Sequence, residues 1–179
     1  MPVPGRSSAT LGGMIFRAAM DSDAAAISEL VLSFRDEYLL DPTGRGAEEF
    51  LTSVSAEAER GYIGSTRYYY LLGEVEGALA GVIALRDKTH VYRLFVARNF
   101  QRQGLARELW RRARQALGPV DQAMNFTVNS SPMAVPIYRR LGFEQTSLQV
   151  EMHGIAFVPM RLTESSMPPN KSLERTRGE

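Results

Sequence analysis

The sequence predicts an α+β fold: a mixed, mostly antiparallel central sheet of about seven strands flanked by about four helices. Three observations predict it. Apolar residues recur at helical spacing in four separated stretches. Three short β-rich runs follow one another with only turn residues between them. With 179 residues, 44% hydrophobic and 23% charged, the chain is long enough for one packed core and too apolar for global disorder.

Residues 14–19 read as a first strand, leading into Asp21-Ser22-Asp23, acceptors suited to capping a helix start. A helix is expected over 24–38, from the stripe Ala24, Ile27, Leu30, Val31, Phe34 and Tyr38, and Asp41-Pro42-Thr43-Gly44 breaks it. A second helix is expected at about 47–60, with Phe50, Leu51 and Val54 inward and Gly61 and Gly64 closing it. Runs at 68–72, 78–85 and 90–96 form an antiparallel meander, with Gly73, Gly77 and Asp87-Lys88 in the turns. From 104 to 117 the period returns to helical, Leu105, Leu109, Ala113, Ala116 and Leu117 inward, until Gly118-Pro119 stops it. A strand at 123–128, a short helix at 135–141 capped by Gly142, and strands at 143–152 and 155–162 joined at His153-Gly154 complete the order. Residues 1–12 and 164–179 are Pro/Gly/Ser-rich or polar and read as flexible tails, which leaves a single domain over 13–163.

Composition excludes several functions. There is no cysteine, hence no disulfide, thiolate metal site or cysteine nucleophile. His90 and His153 stand far apart, so no metal is expected. A net charge of +1 gives no general support to nucleic-acid binding. No signal peptide or membrane-length apolar run is visible, and the expectation is a cytoplasmic protein without a membrane partner.

The informative segment is Leu94-Phe95-Val96-Ala97-Arg98-Asn99-Phe100-Gln101-Arg102-Gln103-Gly104-Leu105-Ala106. A strand ends, a loop follows and a helix opens at a glycine. Helix N-termini present unpaired N–H groups and a positive dipole end, and Gly104 and Ala106 allow close approach, which makes a cradle for a pyrophosphate. Arg102, Arg107, Arg111, Arg112 and Arg114 add local positive charge. Taken alone, Gln101-x-x-Gly104-x-Ala106 also fits an ordinary strand-to-helix turn.

Together with Arg17-Ala18-Ala19-Met20-Asp21-Ser22-Asp23 before it and Ala134…Tyr138-Arg139-Arg140-Leu141-Gly142-Phe143 after it, this segment resembles the GNAT superfamily of acetyl-CoA-dependent N-acetyltransferases, in the family's order and spacing. The resemblance implies acetyl-CoA as donor co-substrate and a small-molecule or peptide amine as acceptor. It further implies that the backbone of Gln101, Arg102, Gln103, Gly104, Leu105, Ala106 and Arg107 holds the pyrophosphate. Leu94, Phe95 and Val96 would pair with the pantetheine arm, because in the family this strand splays from the next. The same donors can stabilise the oxyanion formed on attack.

Tyr138 matches the family tyrosine that protonates the departing thiolate; the alternative is a core tyrosine on a short helix. Where the histone-modifying branch has a glutamate base, this chain has His90, whose ordinary pKa near 6.5 suits a base. A solvent-bonded strand-edge histidine is the other reading, with Tyr92 ordering a relay water, or Asp36, Glu37 or Glu57 as weaker candidates. Many members place asparagine seven residues before the tyrosine; here Ser131 stands there and Asn129 two residues earlier, and either one is a candidate for that role. Pro136 lacks an N–H, so the regular helix is expected to start near Val135. His153 reads as a turn residue. Tyr68-Tyr69-Tyr70 reads as core packing or as an aromatic lining of the acceptor site. The 36–66 segment is acidic, which would suit a cationic amine. Without cysteine the acetyl group is expected to move by direct attack in a ternary complex. A non-catalytic acyl-CoA-binding sensor or interaction module is the competing class, and the oligomeric state stays open between monomer and homodimer.

Overall fold

The computed structural model of the chain describes residues 10–11, 13–118 and 124–164. Its strands are β1 (Thr10–Leu11), β2 (Met14–Ala18), β3 (Tyr68–Val75), β4 (Ala78–Arg86), β5 (His90–Val96), β6 (Met124–Ser130), β7 (Glu144–Gln145), β8 (Val150–Met152) and β9 (Ile155–Glu164). Its helices are α1 (Ala24–Leu32), α2 (Glu48–Ser53), α3 (Ala56–Ile63), α4 (Leu105–Ala116) and α5 (Val135–Arg140). The sheet runs β1-β2-β3-β4-β5-β6-β9-β7, with β8 on β9. Every pairing is antiparallel except β5 with β6. The α+β class and the mostly antiparallel sheet are as the periodicity predicted. No described helix is long and apolar enough to cross a membrane.

Helices cover both faces. On one, α4 buries Leu105, Leu109, Trp110 and Ala113, spaced for a single stripe. Trp110 stands edge-on to Phe126 and Phe143, with centroids 5.0 and 5.4 Å away. Burial of such side chains stabilises by about 1.5–3 kcal/mol each, and Leu109, fully buried, is where a charge would do most damage. On the other face Ile27, Val31, Phe34 and Tyr38 pack with Val54, Tyr70, Leu72 and Val82.

Local chemistry moves several expected boundaries. Helix one stops at Leu32, where the Ser33 hydroxyl donates to the Leu30 carbonyl at 2.6 Å. A 3-10 turn at Arg35–Glu37 then carries the stripe on, keeping Phe34 and Tyr38 buried. The second helix is two: after buried Val54, Ser55 restarts the chain by accepting the Ala58 N–H at 3.2 Å. Asp23 does not cap α1. It accepts from Arg17 at 2.7 and 2.8 Å, and Arg17 also grips Glu74, tying β2, β3 and the start of α1 together. The expected strand over 143–152 divides into β7 and β8: the Thr146 N–H still donates in register to the Pro159 carbonyl, and pairing with β9 resumes only at Val150 opposite Phe157, in a shifted register. Thr10–Leu11, placed in the N-terminal tail by sequence, pair with β2. Glu164, placed in the C-terminal tail by sequence, ends β9 opposite Met124; the remainder of both expected tails, and Ala123 of the expected strand, lie outside the described residues.

Two irregularities shape the middle of the sheet. Between β4 and β5 the register slips, Ala84 facing Arg93 and Leu85 facing Val91, so Tyr92 is an extra residue. Tyr92 and Arg93, adjacent in sequence, therefore both reach the α3 side: the Tyr92 ring meets Tyr62 and the Arg93 guanidinium meets Glu59. Secondly, β5 and β6 pair only at His90 with Thr127 and Val91 with Val128, after which they diverge.

Candidate active site

That divergence opens a cleft of about 850 Å³, within the range of small-ligand sites. One wall is the free edge of β5 beyond Val91. The other is the end of β6, the Pro132–Ala134 turn and α5, which starts at Val135 as Pro136 required. One end runs onto the N-terminus of α4. The other is closed by residues after α1 meeting the β8–β9 hairpin, where the Leu40 N–H donates to Gly154, the Ala156 N–H donates to Tyr38, and Leu39 bridges Ile155. Gly154 allows this contact: a Cβ there would sit 2.4 Å from the Gly46 carbonyl carbon, and its φ is +72°.

At the α4 end Gly104 takes the left-handed conformation at φ +83° and nothing stands within 4 Å of where its Cβ would be. Helix geometry leaves the first N–H groups of α4 without intrahelical acceptors, beside open space. Of the residues expected to bind the donor, Leu94, Phe95, Val96, Gln101, Arg102, Gly104, Leu105, Ala106, Arg107, Asn129 and Ser131 all line the cleft. Gln103 does not; its side-chain amide donates to the Asn99 carbonyl at 3.3 Å and stiffens the loop. The Gln101 amide donates to the Val96 carbonyl at 3.0 Å, fastening the loop to the end of β5.

The arginine cluster is only partly directed at this end. Glu108 takes Arg111 and Arg112 at 2.6 Å each, which holds its carboxyl down at about 2. Arg114 pairs with Glu164. Arg102 and Arg107 remain at the cleft, joined by Arg98 and Arg140 from other segments.

Tyr138 is 6% exposed and packs edge-on against Phe143. No described side-chain nitrogen or oxygen is fully buried without a partner. Tyr138 lines the cleft, and its hydroxyl, which makes no hydrogen bond among the described residues, is not sealed from solvent. Burial pushes its phenol well above the ordinary value.

His90 also lines the cleft, its Nδ1 2.9 Å from the Thr127 hydroxyl. Burial first, then the Arg86 charge, lowers its pKa to about 4. It is neutral at pH 7 but accepts a proton far less readily than an ordinary imidazole. Ser131 is committed to capping, accepting the Ala134 N–H at 3.3 Å, while the exposed Asn129 side chain is uncommitted among the described residues.

The acceptor end differs from the acidic mouth expected from residues 36–66. Of those carboxylates only Glu37 lines the cleft, and Arg98 stands 3.5 Å from it. Asp36 and Glu57 are not in its wall, Asp41 is held by Thr43, and Glu48 accepts the Gly46 N–H. Tyr68, Tyr69 and Tyr70 alternate across the sheet as predicted, but none lines the cleft. Instead Tyr70 donates at 2.6 Å to Glu59, a fully buried carboxylate that also accepts from Arg93 at 2.9 Å. Arg93 donates further to the Ser53 and Tyr92 carbonyls and lies 4.0 Å over the Tyr92 ring. This network fastens α2 and α3 to β5 along one wall of the cleft, which Ser53, Tyr92 and Arg93 line. Its signal in the sequence was an arginine inside the otherwise apolar run Val91–Val96.

Residues 38–164 match the family described as the acetyltransferase (GNAT) domain. The chain belongs to the GNAT acetyltransferase family. Solved structures agree with that membership in fold. A GCN5-related N-acetyltransferase from Rhodopseudomonas palustris aligns at a TM-score of 0.64 and 13% identity over 91% of this chain and 100% of its own. The PaiA N-acetyltransferase from Thermoplasma acidophilum, solved in complex with coenzyme A, aligns at 0.62 and 15% identity, over 84% and 99%. The ribosomal-protein-S18-alanine N-acetyltransferase from Escherichia coli aligns at 0.57 and 17% identity, over 89% and 98%. No curated protein sequence matches the chain. Among the described residues no group of three or more His, Cys, Asp or Glu is arranged to hold a metal.

Proposed function

We propose that the protein is an N-acetyltransferase, moving the acetyl group of acetyl-CoA to a primary amine of a small molecule or peptide by direct attack in a ternary complex. The observation that carries this reading is the continuity of one cleft. The wedge between β5 and β6 runs onto the N-terminus of α4, and Tyr138 lines the same space. Bound acetyl-CoA supplies the activated thioester.

Each part of the wall has a task that suits its chemistry. The unpaired N–H groups opening α4, with Arg102 and Arg107, fit a pyrophosphate. The free edge of β5 at Leu94 to Val96 offers backbone groups to an amide-bearing arm, as a further strand would. Asn129 supplies a side-chain amide to the same arm, and Ser131 holds the turn that aims α5. Tyr138 stays protonated across the working pH range and donates its hydrogen to the departing thiolate.

His90 serves as a hydrogen-bond acceptor that orders the amine or a relay water. Transfer from an ordinary ammonium, pKa about 10.4, to an imidazole at about 4 is uphill by roughly 9 kcal/mol. The amine therefore attacks from the neutral fraction set by its equilibrium with bulk solvent, and the rate follows the amine's own ionisation.

Calorimetric titration with acetyl-CoA tests the donor half. One site per chain is expected, weakened about tenfold or more by Arg107→Ala, which removes one charge-assisted contact. Absence of binding by the wild-type chain overturns the reading.

A further inference from the structure

We infer that the acceptor amine carries an anionic group, a carboxylate or a phosphate, and that Arg86 binds it. This rests on the acetyl-transfer reading and names the substrate class for that same cleft.

Arg86 ends β4 directly opposite His90, at the end of the cleft away from α4. A strand advances about 3.3 Å per residue, so His90 lies roughly 20 Å from Val96 and the phosphate cradle. Arg86 therefore stands at the far end of the cleft from that cradle, which in the acetyl-transfer reading is the acceptor side. Its guanidinium lines the cleft with 36% of the side chain exposed, and it lies 5.3 Å over the Tyr92 ring, which steadies it.

Its charge is not matched. The nearest carboxylate is Asp87, 3.9 Å from the Arg86 Nε. Asp87 is already held two-pronged by Arg67 at 2.9 and 2.7 Å. Two guanidiniums share one carboxylate, and the donor fork of Arg86 makes no hydrogen bond among the described residues. The neighbouring cation in the wall, Arg93, is by contrast fully engaged with Glu59 and two carbonyls.

The rest of the wall gives a cationic acceptor little to bind. Glu37 is its only carboxylate among the described residues and faces Arg98. A planar two-pronged donor matches a carboxylate or phosphate and has no comparable partner in a simple alkylamine.

The test uses matched pairs of amines on the CoA-saturated protein: β-alanine against β-alaninamide, γ-aminobutyrate against its amide, and phosphoethanolamine against ethanolamine. Binding is read by calorimetry on that CoA complex, and transfer is read separately, with acetyl-CoA in place of CoA, by release of CoA thiol. The anionic member of at least one pair should bind about ten- to hundredfold more tightly, the range of a hydrogen bond to a charged group. Which pair responds separates carboxylate from phosphate. Arg86→Gln should remove that preference and Arg86→Lys should keep part of it, with both variants retaining cooperative melts and wild-type acetyl-CoA affinity. Equal binding within every pair, or a preference that survives Arg86→Gln, overturns the inference. Calorimetry keeps the two claims apart: selective binding without thiol release contradicts the transfer reading and leaves the Arg86 site standing.

Discussion

Removing the Glu59 carboxylate should destabilise the protein more than most single substitutions, because it strands a buried cation. Glu59 is fully buried and Arg93 is 5% exposed. Glu59→Ala deletes the acceptor of two hydrogen bonds, 2.6 Å from Tyr70 and 2.9 Å from Arg93. Arg93 then keeps only the carbonyls of Ser53 and Tyr92. Breaking one side of such a pair costs about 3–5 kcal/mol, a large part of the roughly 5–15 kcal/mol that holds a domain together. With a urea sensitivity near 2 kcal/mol/M, the unfolding midpoint should fall by about 1.5–2.5 M. Replacing all three groups with apolar ones of similar size, Glu59→Met with Arg93→Met and Tyr70→Phe, leaves no orphan and should recover most of the loss. A Glu59→Ala midpoint within 0.5 M of wild type (about 1 kcal/mol), or a triple variant as unstable as the single, would refute the reasoning.

Gly154→Ala forces a methyl against the Gly46–Ala47 backbone at a positive φ; it should cost about 2–4 kcal/mol by denaturation and raise the acceptor KM more than the donor KM. His90 sets an acid limit on stability. Its folded pKa of about 4 lies below the unfolded value near 6.5, so the unfolded chain binds the proton first. Its contribution is whole above about pH 6.5 and is lost as pH falls towards 4. After allowance for screening of a partly exposed group, about 1–2 kcal/mol of the pH dependence should vanish in His90→Gln, measured as the difference in unfolding free energy between pH 7 and pH 4. The alkaline limb of the rate profile should be the same in His90→Gln and wild type.

Periodicity found the order of strands and helices because each element buries one face. It could not find features set by neighbours. The slip at Tyr92 is a relation between β4 and β5, invisible in either strand alone, and it places Arg93 where alternation would not. The expected second helix has an unbroken apolar stripe, yet Ser55 divides it because its hydroxyl caps a new start. Most of the residues that line the cleft were legible because the segment is local: strand, glycine and helix follow one another in the chain. Charge was harder to read. Segment 36–66 is acidic in sequence, but only Glu37, facing Arg98, lines the cleft; its other carboxylates are turned to Thr43, Gly46 and Arg93 or lie outside it. Helix α4 is rich in arginine, but Glu108 and Glu164 draw three of those arginines aside. Orientation, which composition does not contain, decides the field inside the cleft.

The central claim is transfer to an amine with Tyr138 as the acid, and its most direct test is release of CoA thiol at saturating acetyl-CoA across an amine panel. Wild type should release thiol only when an amine is present. Tyr138→Phe should bind acetyl-CoA normally while turning over about 10²–10⁴-fold more slowly. A Tyr138→Phe variant with wild-type kcat, or a wild-type protein whose thiol release never depends on the amine, would contradict it.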